Sequence, residues 1–78
     1  MSDWKEAAAL AEATADRMQA AEEVAEQAFY AVKARAEAAG DPAVALATDE
    51  FRQWMSARAE TDTAWGAWSM AMDAKPVH

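Results

Sequence analysis

The sequence predicts an all-α fold, an antiparallel two-helix hairpin, and three observations carry that reading. Alanine fills 24 of the 78 positions, whereas glycine and proline occupy only two each. Alanine has the highest helix propensity, and the breakers that punctuate β proteins are scarce. One strong internal break, Gly40-Asp41-Pro42, stands near the midpoint of the chain. On both sides of it, apolar residues recur at heptad spacing.

Asp3 with Glu6 three residues later fits a capping box, so the first helix is expected over residues 4–39. Gly40 suits the left-handed position after a helix end. The turn is expected at 40–41, with Asp41 as the cap of the next helix and Pro42 at its first position. The second helix is expected over residues 42–74, ended by Lys75-Pro76, because the residue before a proline is pushed out of the α region. Each arm would span roughly 50 Å at about 1.5 Å per residue. Equal arms favour one helical domain over residues 1–78. Thr61-Asp62-Thr63, with Gly66 beyond it, is a second candidate break. A restart there would add a short C-terminal helix.

Heptad rows give a register. In the second helix they are Val44, Phe51, Arg58, Trp65, Met72 and Ala47, Trp54, Thr61, Trp68. In the first they are Trp4, Ala11, Met18, Ala25, Val32 and Ala7, Thr14, Ala21, Ala28, Arg35. Folding so that facing numbers sum to 79 sets Ala28 against Phe51, Ala25 against Trp54, Thr14 against Trp65 and Ala11 against Trp68. Large residues then meet small ones, as a close helix pair needs. Arg58 interrupts the apolar row. Its expected partner is Glu22, and a polar hot spot for a binding partner is the other reading.

Charge narrows the function. Seven bases against fourteen acids give −7, and the first 26 residues hold seven acids against Lys5 and Arg17. Such a surface repels nucleic acid and anionic membranes and attracts basic protein surfaces. No apolar run approaches the ~20 residues of a membrane span. Met-Ser-Asp-Trp-Lys-Glu is not a signal peptide, so a cytoplasmic location is expected. There is no cysteine, and His78 is the only histidine. No nucleophile–base pair, glycine-rich phosphate loop or helical di-metal set can be assembled from these residues. The expectation is a protein without enzymatic activity, catalytic residues, cofactor or metal, and a two-helix hairpin is expected to offer no cavity. Glu22, Glu23 and Glu26 could share a hard cation only weakly.

Two features remain. Glu12, Asp16, Gln19, Glu23, Glu26, Tyr30, Lys33 and Glu37 step by four and three residues, so they share one face of the first helix. Carboxylates one turn apart are separated by about 6 Å, comparable to phosphates along a nucleic-acid strand. Glu22 flanks this stripe. Such a stripe is either the solvated face of an amphipathic helix or a docking face for a basic groove. The second feature is the aromatic and methionine load of the second helix: Phe51, Trp54, Trp65 and Trp68 with Met55, Met70 and Met72. The four aromatics are expected in the hairpin core. Leu10, Val24 and Phe29, with Leu46, Met55 and Met70, lie off the expected seam. A homodimeric four-helix bundle or a heterologous protein would cover them.

In size, acidity and helical character, and in its Glu12–Glu26 stripe, the chain resembles the small anti-CRISPR proteins of phages and mobile elements. The resemblance includes no signature motif. It implies an inhibitor that presents carboxylates where phosphates would sit on a CRISPR effector complex. The contact residues would be Glu12, Asp16, Glu22, Glu23 and Glu26, and the host cytoplasm would be the site of action. The alternative is a structural or scaffolding hairpin that self-associates through the aromatic face of the second helix. An antitoxin-like partner of a basic toxin ranks below both, because a DNA-binding segment and a disordered tail are missing.

Overall fold

The computed structural model describes residues 3–75. Helix α1 spans Asp3–Ala38, a six-residue 3-10 segment spans Pro42–Ala47, and helix α2 spans Asp49–Asp73. The two long helices lie against each other as an antiparallel hairpin. Pro76 and His78, to which the sequence assigned a helix stop and a terminal histidine, lie outside the described residues.

The turn begins as expected. Gly40 has φ +83, where a side chain would be strained. The Gly40 N–H donates to the Glu37 carbonyl and the Asp41 N–H to the Ala36 carbonyl, both at 3.0 Å. This nested pair is a Schellman motif, and it satisfies carbonyls that the helix end would leave open.

The second helix, expected at 42–74, starts later than that. Asp41 makes no side-chain capping bond, and Pro42–Ala47 coils as 3-10 rather than α. The α-helix starts seven residues later, because Thr48 is the better cap. Its hydroxyl accepts from the Phe51 N–H at 3.2 Å and donates to the Ala45 carbonyl at 2.7 Å. Asp49 and Glu50 then sit in the first turn, where carboxylates favour the helix dipole. Asp49 also pairs with Arg52. At about 2.0 and 1.5 Å per residue the 3-10 segment and α2 together still span roughly 50 Å, so the return arm matches α1.

No break occurs at Thr61–Gly66; α2 is continuous there. The Thr61 hydroxyl donates to the Ala57 carbonyl at 3.0 Å, which satisfies it within its own helix although the residue is buried. The extra helical piece therefore precedes α2 and is not C-terminal. At the start of α1, Asp3 is already helical, so Asp3 and Glu6 act as first-turn carboxylates. The capping position before Asp3 lies outside the described residues.

The axial register holds, and the rotation of α1 does not. Lys75 lies over the Trp4 ring at 5.7 Å, and Phe29 meets Phe51 at 5.3 Å between centroids. Those pairs sum to 79 and 80. However, the seam of α1 pairs the Trp4 row with Ala8, Ala15, Glu22, Phe29 and Ala36, one residue on from the expected companion row. Ala8, Ala15 and Phe29 are buried, whereas Ala7, Ala21, Ala28 and Arg35 are exposed. The rotation buries Phe29, expected off the seam, and frees Arg35 to solvent. Each change avoids a desolvation cost or gains apolar burial.

Phe29 is 5% exposed and nucleates an aromatic cluster with Tyr30, Phe51 and Trp54 near the turn. At the open end Trp65 and Trp68 meet edge to face at 5.7 Å. Between the clusters the buried residues are Ala15, Thr61 and Ala64. The result is a rod of 60 × 17 × 15 Å with a radius of gyration of 17.5 Å. A compact chain of this length would have about 11.5 Å. The exposed area is 5598 Å² against about 4,600 Å² for a compact chain of this mass.

Candidate functional site: two unlike faces of the rod

With the seam fixed, helical phase sorts the remaining residues onto two long faces. One flank of α1 carries Glu12, Gln19, Glu26, Lys33 and, one step further out, Asp16, Glu23, Tyr30, Glu37. The flank of α2 on the same side carries Phe51, Arg58, Trp65, Met72 with Met55, Asp62 and Ser69. Tyr30 meets Trp54 at 5.9 Å across this side, which ties the two flanks together.

Glu12, Asp16 and Glu23 are exposed, and Glu26 is half-buried. These four share the expected face. Glu22 does not; it belongs to the seam row of Ala15 and Phe29 and is half-buried there. Its expected pairing with Arg58 is absent. The ion pairs among the described residues are Lys33–Glu37 at 3.8 Å and Arg52–Asp49. Arg58 is exposed, and its guanidinium stands over the Trp54 ring at 5.7 Å. A cation over an indole face is attracted by the ring quadrupole, and water still reaches this one.

The two cations among the first 26 residues stand away from the stripe. Arg17 falls on the opposite flank of α1, where it donates to the Thr14 hydroxyl at 3.2 Å. Lys5 sits over Trp4 at 5.8 Å, beyond the end of the stripe. Lys33 pairs with Glu37 at the far end of this flank, so the stretch of α1 from Glu12 to Glu26 has no ion-paired carboxylate among the described residues, with Arg58 of α2 on the same side. That stretch is roughly 20 Å of helix. No group of three acids or histidines among the described residues converges to hold a metal ion.

The same face offers more than charge. Phe51, Met55, Trp65 and Met72 are half-buried, so part of each lies open beside the carboxylates. Aromatic and methionine side chains next to charged ones are the composition of protein interfaces. Sequence periodicity assigns the aromatics to the core and the acids to the surface separately. Their adjacency depends on the rotation of α1, which periodicity does not resolve.

The second face differs. There α1 presents Ala7, Leu10, Thr14, Arg17, Ala21, Val24, Ala28 and Ala31. From α2 come Ser56, Glu60, Thr63, Ala67 and Met70. An open groove of about 580 Å³ runs between them, lined by Thr14, Met18, Ser56, Glu60, Thr63 and Ala67 among others. The expectation of no cavity is corrected to this extent. The groove is shallow, and Glu60 is its single ionisable lining residue. Leu10, Val24 and Met70 around it are 71%, 72% and 74% exposed. No helix among the described residues is long and apolar enough to cross a membrane.

Comparison with protein-family models, with characterised proteins and with solved structures found no match.

Proposed function

We propose that the protein is a non-enzymatic regulator that docks its acidic face on a basic, nucleic-acid-binding surface of another protein. One observation carries this reading: Glu12, Asp16, Glu23 and Glu26 stand on one face with no ion-pair partner among the described residues, beside the half-open Phe51, Trp65 and Met72. Like charges one turn apart cost helix stability, by roughly 0.2–0.5 kcal/mol a pair. A partner's lysines and arginines would relieve that cost, and the aromatic row would add desolvated contact area. Within the pairs Glu12–Asp16 and Glu23–Glu26 the carboxylates stand about one turn apart, near the spacing of phosphates, so such a partner would lose access to its nucleic acid. Inhibition in the manner of the small acidic anti-CRISPR proteins is one form of this function.

Capture from nuclease-treated bacterial lysates, including strains with CRISPR effector complexes, tests the reading. The bait is the wild type beside a variant with Glu12→Gln, Asp16→Asn, Glu23→Gln and Glu26→Gln, which keeps shape and helicity. Nucleic-acid-binding proteins should bind the wild type, elute steeply with salt, and be lost from the variant. Equal capture by both baits, or elution indifferent to salt, would assign the charge to solvation alone.

A further inference from the structure

We propose that the groove face is a self-recognition surface, on which a second copy of this chain docks to form a four-helix bundle. This does not depend on the reading of the acidic face, which lies on the opposite side of the rod.

The first ground is area. The rod exposes roughly 1,000 Å² more than a compact chain of its mass. The flank from Ala7 to Ala31 is about 36 Å long. With the 17 Å width of the rod, it offers roughly 600 Å² on each copy. A pair of copies would hide about 1,200 Å², which is within the range of specific interfaces. Leu10, Val24 and Met70 are exposed on this face, and only one cation and one carboxylate stand on it between Ala7 and Ala31 on α1 and between Ser56 and Met70 on α2. Depletion of charge marks an interface core; here Leu10 with Met70 on one side and Val24 on the other bracket a central polar level of Arg17 and Glu60.

The second ground is complementarity under a twofold axis. Facing positions in the hairpin sum to about 79. A second hairpin related by a twofold along the rod lays its α2 over α1 at the same level. Leu10 then meets Met70 of the second copy, and Val24 meets Ser56 of that copy. Arg17 meets its Glu60 to Thr63 stretch. Each contact occurs twice, as an isologous interface requires. The lone cation of the face meets the lone carboxylate, and every neighbouring helix pair is antiparallel. The alternative twofold, across the rod at the groove, sets Arg17 against Arg17 and is disfavoured by like charge. In the chosen arrangement the two acidic faces point outward on opposite sides.

Sedimentation equilibrium from about 1 µM to 1 mM, with circular dichroism on the same samples, tests this. The wild type should approach twice its 8.4 kDa mass. Leu10→Glu with Met70→Glu, at positions that the hairpin leaves exposed, should keep full helicity and dissociate at least about 100-fold more readily. Arg17→Glu alone and Glu60→Arg alone should each weaken the dimer, and the two together should restore it. A wild type that stays at 8.4 kDa throughout, or a dimer indifferent to Leu10 and Met70, would overturn the proposal. Failure of the double charge swap to restore association would overturn the arrangement along the rod.

Discussion

Phe29 of α1 stacks on Trp54 of α2 with ring centroids 5.0 Å apart and planes 23° apart. This contact sets the rotation of α1, and through it decides which residues form each face. It places Glu12, Asp16, Glu23 and Glu26 on the side of Phe51 and Trp65, and it leaves Leu10 and Val24 on the side of the groove.

Phe29→Ala should therefore be the most damaging single truncation in α1, by about 3–5 kcal/mol. Native chains of this size have only about 4–12 kcal/mol in all, so the variant should lose a large share of its stability. Ala28→Gln, one residue away and exposed, should change stability by less than about 0.5 kcal/mol. Urea titration of both separates the observed rotation from the one that sets Ala28 against Phe51.

The caps make an opposite pair. Thr48→Ala removes the acceptor for the Phe51 N–H and should cost about 1 kcal/mol. Asp41→Ala removes no capping bond and should be close to neutral. The same titration reads both.

The glycines also differ. Gly66 is mid-helix with open space where a Cβ would go, so Gly66→Ala should stabilise by about 0.5–1 kcal/mol. Gly40 has φ +83, so Gly40→Ala should destabilise by about 1–2 kcal/mol despite equally open space. Melting temperatures of the two variants should move in opposite directions.

Much of this fold was legible in the sequence, because alanine content, the Gly40 break and heptad spacing are strong local signals. Gly40 ended the first helix as its chemistry required. The start of α2 was less legible. Gly40-Asp41-Pro42 reads as a complete stop and start, and it masked Thr48-Asp49-Glu50, a hydroxyl cap followed by two acids. The seam was legible in level but not in rotation. With alanine at 7, 8, 11, 15, 21, 25 and 28, neighbouring rows of α1 are nearly equal in size, and only contact with Phe51 and Trp54 selects Phe29. The stripe of Glu12, Asp16, Glu23 and Glu26 could be read from periodicity alone. Glu22 flanks that stripe as periodicity indicates, and the rotation shows that it lies on the seam side of it, half-buried. The groove could not be read at all, since it arises from small residues on two helices at once.

Trp54 supplies a further test. Its indole N–H is buried without a hydrogen-bond partner, a state that costs about 1–3 kcal/mol. Trp54→Phe keeps an aromatic ring against Phe29 and removes the orphan donor. The two effects oppose, so the variant should lie within about 1 kcal/mol of the wild type. Trp54→Ala should lose about 3–5 kcal/mol.

The most direct test of the acidic face is a challenge with nucleic acid. Partners captured on the wild type from nuclease-treated lysate are exposed to excess short duplex DNA or single-stranded RNA at constant ionic strength. Release of the captured nucleic-acid-binding protein is the expected result, because the carboxylates of Glu12, Asp16, Glu23 and Glu26 and the phosphates would occupy the same basic surface. Retention of that protein at saturating oligonucleotide would contradict the proposed function.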